Sequence, residues 1–169
     1  LVTKPAVIAV IDSGLLPDTG VDEFPLNSYA FIDMLEPGNT RAKDWDTNSH
    51  GTHVAGIIGA ANNGEGTNGL ISGVEALDHR LLVYRTGIGG GRLSSSAITA
   101  SMGDIIARKD SVLAVNMSFG AQYCGSTTYF KRHAKYWKNL FSRAPDVLFV
   151  AAAGNSGNKS KPSCRLANH

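Results

Sequence analysis

The chain has 169 residues and 43% hydrophobic content, which suits one domain with a sizeable buried core. Only 18% of residues are charged, too few for a disordered chain, and a net charge of +2 with no Lys/Arg run gives no basis for nucleic-acid binding. No apolar stretch approaches the roughly 20 residues that a membrane-spanning helix needs, and Leu1 leads within a few residues into an apolar run with no signal-peptide pattern before it, so a processed or excised segment is expected.

In chain order, Ala6–Ile11 is a continuous apolar run of strand length, ending at Asp12-Ser13-Gly14. Asn48-Ser49 is a plausible cap for a helix over His50–Ala60. A polar, Gly- and Asn-rich loop follows at Asn62–Gly69, then a second apolar strand at Leu81–Tyr84 and a glycine loop at Gly87–Gly91. The three serines from Ser94 open a helix to Arg108 that places Ile98, Met102, Ile105 and Ile106 on one face. Val112–Phe119 is the third apolar strand, Thr127–Phe141 the third helix, with Phe130, Ala134, Trp137 and Phe141 on one side, and Val147–Ala153 the fourth strand. Runs of Val, Ile and Leu without polar alternation indicate strands buried on both faces, hence a parallel sheet. Alternation of strand and helix then predicts one α/β domain over residues 1–169, doubly wound, with a mainly parallel sheet and flanking helices. No internal repeat or linker divides it.

Ligands in such folds sit at the carboxyl ends of the strands, and the polar motifs stand there. Asp12 ends the first run. His50, in Ser49-His50-Gly51-Thr52-His53-Val54-Ala55-Gly56, starts a helix. Ser118-Phe119-Gly120 ends the third strand, and Ala153-Gly154-Asn155-Ser156-Gly157 ends the fourth. Each has a plainer explanation when taken singly: a turn aspartate, a helix-capping or core histidine, an asparagine in a tight turn. The set, in this order and on these strands, resembles the Asp, His and Asn boxes of the subtilases, the subtilisin-like serine peptidases, over Val7 to about Asn158.

That resemblance implies a serine endopeptidase acting by acyl transfer. Asp12 would accept a hydrogen bond from His50 and fix its tautomer, His50 would be general base and then general acid, and Asn155 would donate its amide to the oxyanion. Ser118, Phe119 and Gly120 resemble the strand edge that pairs with substrate main chain, Gly89, Gly90 and Gly91 the opposite edge, and Ala153 and Gly154 the substrate-binding segment before Asn155. Protein or peptide substrates, a possible propeptide and a secreted or otherwise extracytoplasmic location follow from the same resemblance. The chemistry requires no cofactor. A structural calcium is implied by a matching loop in many subtilases, with Asp22 and Asn63 as the oxygen donors here, although the loop differs in length from the common pattern.

The family's serine box, Gly-Thr-Ser-Met-Ala-x-Pro, is absent. Ser101, in Thr99-Ala100-Ser101-Met102-Gly103, imitates it but lacks the preceding glycine and the following proline, and it falls inside a predicted helix. The serine is therefore expected from a companion chain or from missing sequence. The alternatives are a non-catalytic pseudopeptidase that binds peptides and, on the strength of Gly87-Ile88-Gly89-Gly90-Gly91-Arg92 alone, a nucleotide-binding domain. A parallel sheet cut after its fourth strand should expose an edge and an apolar face, so the isolated chain is expected to be poorly soluble or partly molten. Cys124 and Cys164 fit either two free thiols or one disulfide. The resemblance places them in segments flanking the pocket for the residue before the scissile bond, which implies the disulfide; it would close a loop of about 40 residues and contribute ~4 kcal/mol.

Overall fold

The computed structural model describes residues 6–17, 20, 22–39, 46, 48–72, 79–120, 122–123, 127–155 and 165–166. Strand β1 (Ala6–Asp12) is followed by β2 (Tyr29–Asp33), helix α1 (His50–Gly59) and β3 (His79–Arg85). A short hairpin, β4 (Gly87–Gly89) and β5 (Arg92–Leu93), leads into α2 (Ser95–Ala107) and β6 (Val112–Met117). Strand β7 (Gln122–Tyr123), helix α3 (Thr127–Phe141), β8 (Leu148–Ala151) and β9 (Arg165–Leu166) complete the chain.

Five strands form one parallel sheet in the order β2-β3-β1-β6-β8. The chain runs outward from β1 to β2, returns through β3, and crosses to the other side of β1 through α2. The order therefore reverses beside β1, and Asp12 stands at the carboxyl end of the strand at that switch point, where an open α/β sheet forms its crevice.

Two apolar clusters cover the two faces. Helices α2 and α3 bury Met102, Ile105, Trp137 and Leu140 against Ala9, Ile11, Leu82, Tyr84 and Val115. Helix α1 buries Ala55 on the opposite face with Val10, Leu81, Val83, Phe24 and Phe31. Alternation along each strand divides the side chains between the clusters, so Ala9 and Ile11 face α2 and α3 while Val10 faces α1.

On the α1 face, the last residues of β1, β3 and β2 place Asp12, Arg85 and Asp33 in register across three neighbouring strands, all buried. Arg85 Nη1 donates to Asp33 Oδ2 at 2.7 Å. Asp33 also accepts from the main-chain N–H groups of Leu35 and Glu36 at 2.9 and 3.1 Å and from Asn39 Nδ2 at 3.3 Å, which closes the turn after β2.

Three expectations need correction. Strand β2 supplies a fifth strand to the sheet: its sequence, Tyr29-Ala30-Phe31-Ile32-Asp33, is half-buried and carries no long Val/Ile run. The glycine loop folds as the β4–β5 hairpin, with Gly89, Gly90 and Gly91 all at positive φ. The apolar run around β8 is not buried on both faces: Leu148 is 63% and Val150 49% exposed. Phe149 points the other way and stacks on Phe141 of α3 at 4.6 Å between ring centroids. Registers with β6 (Ala114↔Leu148, Asn116↔Val150) and of β6 with β1 (Val10↔Asn116) put the bare side chains on the face that α1 covers further along the sheet. That face is thus covered over β1 and β3 and open over β8.

Candidate active site

The site begins with a close approach of two chain segments. A Cβ added to Gly51 would lie 2.3 Å from the Gly14 carbonyl oxygen, 2.9 Å from Gly14 N and 3.1 Å from Asp12 Cβ. Only glycine lets the first turn of α1 rest on the turn after β1 this closely. The backbone around Asp12 is held from the other side by Thr86, whose N–H and Oγ1–H both donate to the Asp12 carbonyl at 2.8 and 2.9 Å.

This contact brings His50 and Asp12 together across 38 residues of sequence. His50 Nδ1–H donates to Asp12 Oδ1 at 2.8 Å. The same oxygen accepts the Ser13 N–H at 2.7 Å. The carboxylate is almost fully buried, with 2% of its side chain exposed, while the imidazole is 50% exposed. A buried carboxylate on Nδ1 fixes the neutral tautomer that leaves Nε2 as an acceptor. The acid orients, and the half-exposed ring meets whatever enters the cleft.

The cleft has a volume of about 670 Å³. It is lined by Asp12, Asn48 and His50, by Ser118, Phe119 and Gly120 after β6, and by Ile98 and Thr99 of α2 with His133 and Trp137 of α3. Burial holds His133 below the usual imidazole range. Within the expected substrate-binding set the placements differ. Ser118, Phe119, Gly120 and Gly91 line the cleft, whereas Gly89 and Gly90 are not part of its lining; Gly90 and Gly91 form a hairpin turn and no extended edge. Ala153, Gly154 and Asn155 lie exposed just past Ala152, which does line the cleft.

Ser101 is fully buried and donates its hydroxyl to the Ala97 carbonyl one turn back in α2, at 2.9 Å. Its oxygen is committed inside the helix and does not reach the cleft lining. The basic residues Lys131, Arg132, Lys135 and Lys138 are exposed, while Trp137 turns inward to the core and cleft.

Asp22 and Asn63 do meet: Asn63 Nδ2 donates to the Asp22 carbonyl at 3.0 Å, and Asn63 Oδ1 accepts from Glu65 N–H at 3.1 Å. Calcium takes six to eight oxygens. Asn63's amide is engaged at both ends, and among the described residues no group of three or more His, Cys, Asp or Glu side chains converges. Asp22 and Asn63 alone supply too few oxygens for such a shell, and no step below depends on one. Cys124 and Cys164 lie outside the described residues.

Sequence patterns pointed to the Asp–His pair but not to Asp46, which lies buried behind it and accepts from Ser13 and Thr52. Its surroundings, Lys43-Asp44-Trp45-Asp46-Thr47, give no periodicity or motif to find it by.

A buried acid orienting a half-exposed histidine at the switch point of a parallel sheet has the geometry that an acid–base pair needs. The sequence profile of the subtilase family matches residues 3–165, and the chain belongs to that family. It is 34% identical over 164 residues to the minor extracellular protease Epr of Bacillus subtilis (strain 168), covering 94% of this chain and 21% of that protein. It is also 34% identical over 158 residues to a thermophilic serine proteinase of Bacillus sp. (strain AK1), covering 90% of this chain and 34% of the relative. Among solved structures, the nisin leader peptidase NisP from Lactococcus lactis superposes with a TM-score of 0.65 at 21% identity, over 90% of this chain and 44% of that one. A cold-adapted subtilisin-like serine proteinase gives 0.58 at 24% identity, over 90% and 48%. The chain thus spans 21% and 34% of these two curated relatives and under half of these two structural ones. Among the described residues no helix is long and apolar enough to cross a membrane.

Proposed function

We propose that this chain is the Asp- and His-bearing part of a secreted subtilisin-like serine endopeptidase, and that the nucleophilic serine comes from further sequence or a companion chain. The observation that carries the reading is the 2.8 Å contact between His50 Nδ1 and the buried carboxylate of Asp12. The open part of the sheet supports the second half of the proposal. Leu148 and Val150 leave an apolar surface beside α1, on the face from which His50 reaches the cleft. An element packed there would cover that surface and approach the imidazole.

In this mechanism a substrate peptide lies along Ser118–Gly120 as an added strand. His50 Nε2 takes the proton of the incoming serine hydroxyl as its oxygen attacks the scissile carbonyl. Asp12 stabilises the imidazolium and keeps the ring in place. The Asn155 amide donates to the oxyanion of the tetrahedral intermediate. His50 then passes its proton to the leaving amine, and water repeats the sequence on the acyl-enzyme. Each proton taken by His50 is returned within the same half-reaction.

The test is covalent labelling by a fluorophosphonate after the chain is combined with its serine-bearing complement. Labelling of the complement is expected with the parent chain and absent with His50→Ala. Undiminished labelling with His50→Ala refutes the role of His50, and a complement without a serine box would make the protein a peptide-binding pseudopeptidase.

The proposal includes a Cys124–Cys164 disulfide. The antiparallel pair Tyr123↔Arg165 supports it, because the two cysteines are the next residues in sequence on either side. Intact mass with and without reductant should differ by two hydrogens; two alkylatable thiols in the native protein would end the idea.

A further inference from the structure

Asp46 is 7% exposed and fully engaged. Its Oδ1 accepts from Ser13 Oγ–H at 2.6 Å; its Oδ2 accepts from Thr52 N–H at 2.7 Å and from Thr52 Oγ1–H at 2.6 Å. Both hydroxyls also accept: Ser13 Oγ from Gly51 N–H at 2.8 Å, and Thr52 Oγ1 from Leu16 N–H at 2.9 Å. Ser13 follows Asp12 and Gly51 follows His50. The network therefore ties together the two turns that carry the acid and the imidazole.

Helix α1 needs such a partner. Its N-cap residue, Ser49, has φ 58° and makes no side-chain cap, and its first turn contains no acid. The leading N–H groups of a helix are orphan donors and carry partial positive charge. Asn48 Oδ1 takes that of His50, Ser13 Oγ that of Gly51 and Asp46 that of Thr52. A carboxylate behind the helix start supplies both the acceptor and the negative charge that the cap position lacks.

We infer that Asp46 is a positioning residue which, through Ser13, fixes the distance and orientation between the Asp12 carboxylate and the His50 ring. The inference rests on the Asp–His reading of the site. A purely structural cap would need only the two Thr52 contacts. The branch through Ser13 runs to the catalytic acid, since Ser13 N–H donates to Asp12 Oδ1. Asparagine separates the two jobs. Its single oxygen can satisfy both Thr52 donors only by turning the amide nitrogen to Ser13, and the Ser13 hydroxyl then loses its acceptor.

The experiment reads the proton between His50 Nδ1 and Asp12 Oδ1 in the far-downfield proton spectrum of this chain combined with its serine-bearing complement, with circular dichroism on the same samples. Asp46→Asn and Ser13→Ala are expected to stay folded and to lose or broaden that line. In the reconstituted enzyme each should lower kcat by on the order of 10²-fold, the cost of a misplaced catalytic group, with KM within about twofold of the parent. Should Asp46→Asn not fold, Ser13→Ala carries the test. An unchanged downfield line in a folded variant, or a loss expressed wholly in KM, overturns the inference. A folded parent complex without the line refutes the Asp–His reading itself, and Asp46's role falls with it.

Discussion

Gly51→Ala should damage the site directly. The new Cβ would stand 2.3 Å from the Gly14 carbonyl oxygen, against the roughly 3.3 Å at which carbon and oxygen ordinarily touch. The obstacle is main chain and cannot swing aside, so α1 must retreat by about 1 Å. Carried to the ring, that retreat stretches the 2.8 Å bond between His50 and Asp12 to nearly 4 Å, beyond hydrogen-bonding reach. It also stretches the 2.8 Å bond from Gly51 N–H to Ser13. Overpacking of this size costs about 1–3 kcal/mol of stability, and a catalytic group misplaced by 1 Å costs on the order of 10²-fold in rate. Urea unfolding and fluorophosphonate labelling of the reconstituted enzyme measure the two effects separately. A variant that labels at the parent rate and unfolds at the parent midpoint would show that the two turns are not in contact, and the site geometry built on them would be wrong.

Arg85→Met should cost about 3–5 kcal/mol in urea unfolding, because it leaves the buried Asp33 carboxylate without its ion-pair partner; adding Asp33→Asn should recover part of the loss. Acid sensitivity has a traceable contributor in Asp104. Burial alone would push its carboxyl up, but hydrogen bonds from Arg108 and from the Tyr84 hydroxyl, with the Arg108 charge, hold it below the usual range. A depressed carboxyl contributes stability above its unfolded value, near pH 3.8, and loses it as pH falls through the lower folded value. Asp104→Asn should therefore flatten the fall in thermal midpoint below about pH 3.8, and a parent-like slope in the variant would assign the acid limb to other groups.

Much of this fold is legible in sequence because burial on both faces forces long apolar runs. Ala6–Ile11 and Leu81–Tyr84 announce β1 and β3 for that reason, and the spacing of Met102 and Ile105 announces α2. Strand β2 escapes because it is half-buried and pairs only with β3, so Tyr29-Ala30-Phe31-Ile32 carries a weaker signal. The β4–β5 hairpin escapes because three glycines leave its turn geometry undetermined until the structure shows three positive φ angles. At the site, Asp12 and His50 are readable because strand end and helix start are themselves readable. Asp46 is not: its role depends on where Ser13 and Thr52 come to rest, and no residue pattern near it encodes that.

The buried row of Asp12, Arg85 and Asp33 has a consequence for how the parallel sheet finds its alignment. The apolar parts of β1, β3 and β2 are nearly interchangeable, so burial alone would tolerate sliding one strand past another by two residues. Sliding by one is already forbidden, since it turns every side chain to the wrong face. With Arg85 at the end of β3 paired to Asp33 at the end of β2, a two-residue slip between these two strands would strand a charge in the core without its counterion. This ion pair thus acts as an index mark for greasy strands, and it sets that mark at the edge where β1 ends in Asp12.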